Sequence, residues 1–412
     1  MKLIDDLQSR ARFGMNPGLE RMEALIAALG HPERELPAIH VAGTNGKGAV
    51  CAMLDACLRA RGARTGLYTS PHLVNLTERF LFNGEPVSEE TLEAAWKRVL
   101  ASTPRELTDN LSYFEVLTAT AFELYCALKP DELILETGLG GRLDATTVCR
   151  PKLCIITRIG LDHCEWLGST CEEIAVEKAG IMHKGVPVVV GMNSPSVKVV
   201  LEQSARTIGA PIYFAEDLIP ETAVPAHLAL QGTFNQENAR TVQAALKVLG
   251  IEPESVQEGW ARVVWNGRYQ WIENRLIDGA HNPPAATALA RALAADGLNG
   301  KLTLIAGFCG DKDVKAVLDL LKPFVRRALA VKTNNPRSLE AEELAALMRT
   351  VGLPEVSAAS SLEAALAATE GEQTLICGSL FLAGEALVAL GHAPYHQTQF
   401  DANEWLKRKE TM

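Results

Sequence analysis

The segment Ile39-His40-Val41-Ala42-Gly43-Thr44-Asn45-Gly46-Lys47-Gly48 changes character twice within a few residues. The apolar run Ala38–Ala42 predicts a strand, a glycine-rich turn carrying one lysine follows, and the pattern from about Gly48 to Arg61 predicts a helix. Glycines let backbone N–H groups converge on phosphate oxygens. The helix N-terminus adds partial positive charge, and Lys47 supplies a full one. The bland alternative is a tight strand-to-helix turn with an exposed lysine. The spacing departs from the ordinary phosphate loop: Val41, not glycine, stands five residues before Gly46, and Gly48 and Ala49 follow Lys47 where a hydroxyl is expected. A divalent ion that offsets nucleotide charge must therefore draw its protein ligands largely from elsewhere.

Other strand ends offer such ligands. Glu136 closes the apolar strand Glu132–Thr137 and is followed by Gly138-Leu139-Gly140-Gly141. Ligands of open parallel sheets sit beyond the carboxyl ends of strands, so an acid there is well placed; the structural alternative is an ion pair with Arg142. Leu153–Ile159 is a second strand, leading to Leu161-Asp162-His163. Arg64–Tyr68 is a third, and Ser70 beyond it offers a hard oxygen. Lys178, near the C-terminus of an amphipathic helix, reads by itself as a lysine complementing the helix dipole.

Farther out, Val186–Val190 and Pro211–Phe214 are strand candidates, and Ser112-Tyr113-Phe114-Glu115 is a capping box opening a helix through Leu128. From residue 270 strands alternate with helices: Trp271–Ile277, Leu302–Ala306, Ala328–Lys332, Glu355–Ala358 and Thr374–Cys377. Val314, Val317, Leu318 and Leu321 fall on one helical face between two of them. This alternation predicts an α/β fold with mostly parallel sheets covered on both sides. Turn-prone Trp265-Asn266-Gly267-Arg268 marks a linker at about 266–270, between a first domain of 1–265 and a smaller Rossmann-like domain of 271–412.

With 412 residues, two or three domains are expected. Forty basic and 50 acidic side chains leave a net charge of −10, which argues against non-specific nucleic-acid binding. The segment 36–82, around the glycine turn, instead carries a local balance of +3. Asp5 and Asp6 interrupt any secretory signal, and no apolar run approaches the ~18 residues that span a bilayer. Nine dispersed cysteines without a Cys-x-x-Cys pair predict reduced thiols in the cytoplasm. Cys149, Cys154, Cys164 and Cys171 lie near His163, but their spacings fit no usual zinc pattern.

The motifs form one ordered set. It begins with Gly43-Thr44-Asn45-Gly46-Lys47-Gly48, Ser70-Pro71-His72-Leu73 and Glu78-Arg79. It continues through Glu136-Thr137-Gly138-Leu139-Gly140-Gly141-Arg142-Leu143-Asp144-Ala145-Thr146 and Ile159-Gly160-Leu161-Asp162-His163. Glu177-Lys178-Ala179-Gly180-Ile181, Asp278-Gly279-Ala280-His281-Asn282-Pro283, Asp311-Lys312-Asp313 and Gly378-Ser379-Leu380 complete it. In this order the set resembles the folylpolyglutamate synthase/dihydrofolate synthase family of the muramyl ligase superfamily.

The resemblance implies an N-terminal phosphate-loop ATPase domain, a C-terminal glutamate-ligase domain, and an ATP- and Mg2+-dependent ligase. Such an enzyme adds L-glutamate to a folate or pteroate carboxylate through an acyl phosphate. It implies phosphate binding by residues 43–48, magnesium binding by Ser70, Glu136 and His163, and a carbamylated Lys178. Lys47, His163 and Lys178 are thus the catalytic candidates. Asn238 matches a position facing adenine, Arg268, Asp278 and His281 match nucleotide contacts, and Asp144 and Ala145 match substrate contacts. A monomer with neither nucleic-acid nor membrane partners is expected.

Ala49 stands where the family usually has Ser or Thr, Thr147 where it has Asn, and Phe234-Asn235 where it more often shows His or Tyr before Gln. Two other functions compete. A muramyl-peptide-type amino-acid ligase is disfavoured by Gly48 after Lys47 and by the Ser-Pro-His segment. A non-catalytic nucleotide-binding regulatory protein has no need of Glu136, His163 and Lys178 together.

Overall fold

The computed structural model describes residues 3–10, 18–223, 225 and 228–393; parts of both expected domains, 11–17 and 394–412, lie outside the described residues. The chain divides into two compact units. One comprises Met1–Pro71, Thr77–Ala229 and Glu237–Val263, the other His72–Leu76, Leu230–Gln236 and Val264–Met412. Among the described residues no helix is long and apolar enough to cross a membrane.

The first unit is built on strands β1 (Ala38–Ala42), β2 (Thr65–Tyr68), β3 (Phe80–Phe82), β4 (Glu85–Pro86), β5 (Glu132–Glu136), β6 (Pro151–Ile156), β7 (Val188–Val190) and β8 (Ile212–Phe214). They form one sheet in the order β4-β3-β2-β5-β1-β6-β7-β8, parallel except where β3 pairs with β2 and with β4. All five residues of β1 are buried, as expected of a central parallel strand covered on both faces. Its neighbours β5 and β6 are also apolar, and full burial of each Ile, Leu or Val there contributes about 1.5–3 kcal/mol. The loops after β1, β5 and β6 consequently emerge side by side from the middle of the sheet.

Helix Lys47–Ala60 follows β1 and is buried on nearly all sides. Gly259 permits a second helix to approach it, because a Cβ there would lie 2.6 Å from the Cys57 Cα. Helix Tyr113–Leu128 opens with the expected capping box: the Ser112 hydroxyl accepts from the Glu115 amide and the Glu115 carboxylate accepts from the Ser112 amide.

The second unit contains β9 (Gln270–Ile272), β10 (Arg275–Asp278), β11 (Leu302–Ala306), β12 (Val325–Ala330), β13 (Val356–Ala358) and β14 (Thr374–Cys377), ordered β13-β12-β11-β14-β10-β9. All pairs are parallel except β9 with β10. Val314, Val317, Leu318 and Leu321 are all buried, as their spacing predicts. Two mostly parallel α/β sheets are therefore the fold expected from the sequence.

Local details differ: the strand expected at Ala328–Lys332 runs as Val325–Ala330. Trp271–Ile277 is not one strand but a hairpin, because Glu273 and Asn274 form a two-residue turn with Glu273 at φ 52°. The strand read as Leu153–Ile159 stops at Ile156, since residues 157–160 turn aside to bind the glycine loop. The hairpin β3–β4, turning at Asn83-Gly84 with φ of 52° and 82°, extends the first sheet and was not expected.

Candidate active site

The glycine loop leaves β1 and is strapped to the turn after β6. Thr44 and Asn45 donate their amides to the Arg158 carbonyl at 2.9 and 3.2 Å, and the Thr157 hydroxyl donates to the Asn45 carbonyl at 2.8 Å. The Thr44 hydroxyl lies 3.1 Å from both the carbonyl oxygen and the amide nitrogen of Gly160. A Cβ on Gly43 would stand 1.8 Å from the Thr157 hydroxyl oxygen, so only glycine fits. The strap thus engages the amides of Thr44 and Asn45, the Thr44 hydroxyl and the Asn45 carbonyl. Gly46, at φ 87°, starts the helix with no side-chain cap, which leaves the amides of the first turn to an anion. The same glycine packs on Asn238, whose Oδ1 would be 2.5 Å from an added Cβ. The expected adenine-facing residue and the phosphate loop are therefore neighbours.

Glu136 ends β5 beside β1, in register with Val41, and is 4% exposed. One carboxylate oxygen stands 3.9 Å from the Lys47 Nζ; the other accepts the Ser70 amide at 3.1 Å. The alternative ion pair with Arg142 does not form: Arg142 instead binds Glu177 at 2.9 Å. A buried carboxylate without dense packing of other acids, next to a serine at the end of β2, fits magnesium. This ion takes one or two protein carboxylates and fills its remaining positions with water and phosphate oxygens. Among the described residues no three His, Cys, Asp or Glu side chains gather as a metal cage. His163, the third expected ligand, is exposed, adopts φ 51°, and begins a short helix just beyond β6.

Lys178 is buried and donates to the Gly43 carbonyl at 2.8 Å. Burial, reinforced by the charge of Lys47, lowers its pKa from 10.5 to about 7. The dipole-partner reading thus gives way to an amine held inside the site, a substantial fraction of it neutral at physiological pH. Its helix is pressed onto the glycine-rich loop after Glu136. A Cβ on Gly141 would lie 2.8 Å from the Glu177 carbonyl oxygen, one on Gly180 would lie 2.3 Å from the Arg142 Cα, and the Arg142 amide donates to the Glu177 carbonyl.

That loop is organised by Asp144. One of its oxygens accepts the amides of Gly138 and Leu139 at 3.0 and 2.9 Å, and the other accepts the amide and hydroxyl of Thr146 at 3.0 and 2.5 Å. Burial raises the Asp144 pKa while these bonds lower it. Ala145 is buried and begins the one-turn helix that Asp144 caps. Thr147, in the place of the family's Asn, donates to the Gly141 carbonyl at 2.5 Å and so serves the same loop. The half-buried ring of Phe114 lies against Gly138, where an added Cβ would meet it at 2.7 Å, and stacks on Tyr68.

In the second unit, Arg268, Asp278 and His281 cluster at the carboxyl end of β10. A Cβ on Gly279 would be 2.2 Å from an Arg268 guanidinium nitrogen, and His281 Nδ1 is 2.8 Å from the Gly279 carbonyl oxygen. Buried Asp278 accepts the amides of Tyr269 and Ala280, and burial raises its pKa against the pull of Arg268.

Sequence reasoning missed the residues that hold the strap. Asn193 accepts the Ile159 amide at 2.8 Å and donates to the Thr157 carbonyl at 3.1 Å. Single polar residues after β6 and β7 carry no local signal; only the three-dimensional pairing reveals them.

Comparison with known proteins gives a consistent picture. Residues 267–380 match the family described as Mur ligase, glutamate ligase domain. The chain is 33% identical over 372 residues to the dihydrofolate synthase/folylpolyglutamate synthase of Bacillus subtilis (strain 168), covering 82% of this chain and 86% of that protein. It resembles Mycobacterium tuberculosis folylpolyglutamate synthase complexed with ADP and AMPPCP, with TM-score 0.85, 32% identity, and coverage of 95% of this chain and 100% of that one. It also resembles Escherichia coli FolC in complex with DHPP and ADP, with TM-score 0.83, 30% identity, and coverage of 94% and 96%.

Proposed function

This chain belongs to the folylpolyglutamate synthase/dihydrofolate synthase family, and from that premise we propose how its own residues serve the reaction. The protein is an ATP-dependent ligase that adds L-glutamate to the carboxylate of a folate. The observation that carries the proposal is the meeting of Lys47, Glu136 and Ser70 where β1, β5 and β2 end. That meeting brings a lysine ammonium, a buried carboxylate and the backbone of Ser70 to one point.

A carboxylate is a poor electrophile, so its oxygen must first become a leaving group. In the proposed sequence an acceptor carboxylate oxygen attacks the γ-phosphorus of ATP and the bond to ADP breaks, giving an acyl phosphate. The glutamate amine then attacks the carbonyl carbon and gives up a proton; the C–O bond breaks and phosphate leaves. Lys47 and the first-turn amides hold the phosphates in line, which makes positioning and charge neutralisation the chain's main contribution. Magnesium, when bound, offsets phosphate charge, and Ser70, Glu136 and His163 would hold it. Lys178, as a carbamate, would add an anionic oxygen group beside this centre. Asn238 would face the adenine, with Arg268, Asp278 and His281 as further nucleotide contacts. The loop that Asp144 and Ala145 organise would receive the acceptor.

The proposal assigns 1–265 to ATP binding and 271–412 to glutamate ligation, with the linker at about 266–270; the family match over 267–380 supports the second assignment. It extends to a monomer acting on dihydropteroate, on tetrahydrofolate and its glutamylated forms, or on both. The cytoplasm is the proposed compartment, where nine cysteines without a disulfide would stay reduced.

A panel of acceptors tests the substrate assignment. Purified protein with Mg2+ and ATP is expected to release ADP and phosphate only when L-glutamate is present together with a pteroate or folate. Turnover with an unrelated carboxylate, such as a UDP-muramyl acceptor, would overturn the folate assignment and leave the ligase chemistry intact.

A further inference from the structure

His40 occupies the middle of β1, a strand buried at every residue, and is itself fully buried. Its Nε2 lies 2.8 Å from the Thr146 hydroxyl, while its Nδ1 is buried with no hydrogen-bond partner among the described residues. Burial, helped by the neighbouring His183, lowers its pKa to about 3, so the ring is neutral. A polar ring in a position suited to Val or Ile costs stability, and one unmet nitrogen adds to that cost. The other nitrogen therefore invites explanation.

The proton positions follow from counting donors. The Asp144 carboxylate faces the amides of Gly138, Leu139 and Thr146 and the Thr146 hydroxyl. Three of these are backbone N–H groups that can only donate. Ionised, the carboxylate offers four lone-pair sites to these four donors, so the 2.5 Å contact uses the single Thr146 hydroxyl proton and the Thr146 oxygen is left to accept. His40 must accordingly carry its proton on Nε2 and donate it. The result is a one-way chain: His40 donates to Thr146, Thr146 donates to Asp144, and Asp144 holds the amides of Gly138 and Leu139. With its donor supplied from β1, the Thr146 hydroxyl cannot rotate away, and both lone pairs of each carboxylate oxygen stay engaged.

We propose that His40 is a positioning residue for the acceptor: through Thr146 and Asp144 it fixes the backbone of the 138–141 loop, and so governs acceptor affinity separately from nucleotide binding. This rests on the reading of that loop as the acceptor's contact surface. It also ties acceptor recognition to β1, the strand that ends in the phosphate loop three residues after His40.

The test uses the full chain and four variants. Thr146→Val keeps shape and removes the hydroxyl, and His40→Leu removes the donor. Thr146→Ser and His40→Gln retain a hydroxyl and an N–H at the corresponding places. Thr146→Val and His40→Leu are expected to raise the acceptor KM about tenfold while the ATP KM stays within about twofold, and Thr146→Ser and His40→Gln are expected to recover most of the loss. The double variant His40→Leu/Thr146→Val should be no worse than either single one. If His40→Leu does not fold, Thr146→Val and 15N NMR of the wild-type ring keep the question open to refutation, the spectrum being expected to show a neutral imidazole protonated on Nε2. An unchanged acceptor KM in Thr146→Val, an equal rise in both KM values, or a proton on Nδ1 would overturn the proposal. Failure of the underlying folate reading looks different, because the wild type would then show no folate-dependent ADP release at all.

Discussion

Glu136→Gln is expected to lower kcat by roughly 10²–10³-fold, the loss typical when a charge-organising group is taken from a preorganised site. The substitution keeps the volume of a side chain that is 4% exposed and still offers an oxygen to the Ser70 amide. What disappears is the negative charge 3.9 Å from Lys47 and the proposed anionic ligand for magnesium. Steady-state ADP release as a function of Mg2+ concentration separates these effects. The metal requirement should shift upward, and kcat should stay depressed even at saturating Mg2+. A variant within about threefold of wild type would remove Glu136 from the centre of the site.

Lys178→Ala is expected to impair turnover on a similar scale, roughly 10²-fold or more, while ATP binding changes only a few-fold. The amine that donates to the Gly43 carbonyl is held near neutrality by burial, and a neutral amine is the form that adds carbon dioxide. Short carboxylic acids such as acetate or propionate should partly restore activity to the alanine variant by filling the gap with an anionic oxygen group. Wild-type activity in Lys178→Ala would refute the carbamate role. The depressed pKa also has a sign that can be checked in protein freed of carbon dioxide. The folded amine releases its proton near pH 7 and the unfolded one near 10.5, so in that window the unfolded chain binds more protons. The contribution of Lys178 to stability is therefore complete above pH 10.5 and is lost as the pH falls toward 7. Urea midpoints should rise more steeply with pH in wild type than in Lys178→Met, and parallel curves would contradict the burial argument.

Much of this arrangement is legible in the sequence. Gly43–Gly48 announced itself because strand, glycines, lysine and helix are adjacent in the chain, and Glu136 because an acid ending an apolar strand is unusual. Lys178 was legible only by resemblance, since helical periodicity makes it a dipole partner, and its burial depends on Gly141 and Gly180 letting two segments touch. The Arg142 alternative was local and wrong for the same reason: the nearest acid in space, Glu177, is distant in sequence. His40 was illegible, because its value lies in a bond to Thr146 that crosses more than a hundred residues. The Asn83-Gly84 hairpin is a different case. Asn-Gly between apolar runs is a strong turn signal, so that hairpin is legible in the sequence itself. Glu273-Asn274 carried a weaker signal, since no glycine marks that turn.

Isotope transfer from the acceptor tests the central claim most directly. A pteroate or folate whose reacting carboxylate carries 18O is incubated with the protein, Mg2+, ATP and L-glutamate, and the released phosphate is analysed by mass. An acyl phosphate requires one 18O to leave with inorganic phosphate for every amide formed, its partner remaining in the amide carbonyl. Unlabelled phosphate, or label carried away on AMP, would contradict the mechanism proposed for Lys47 and Glu136.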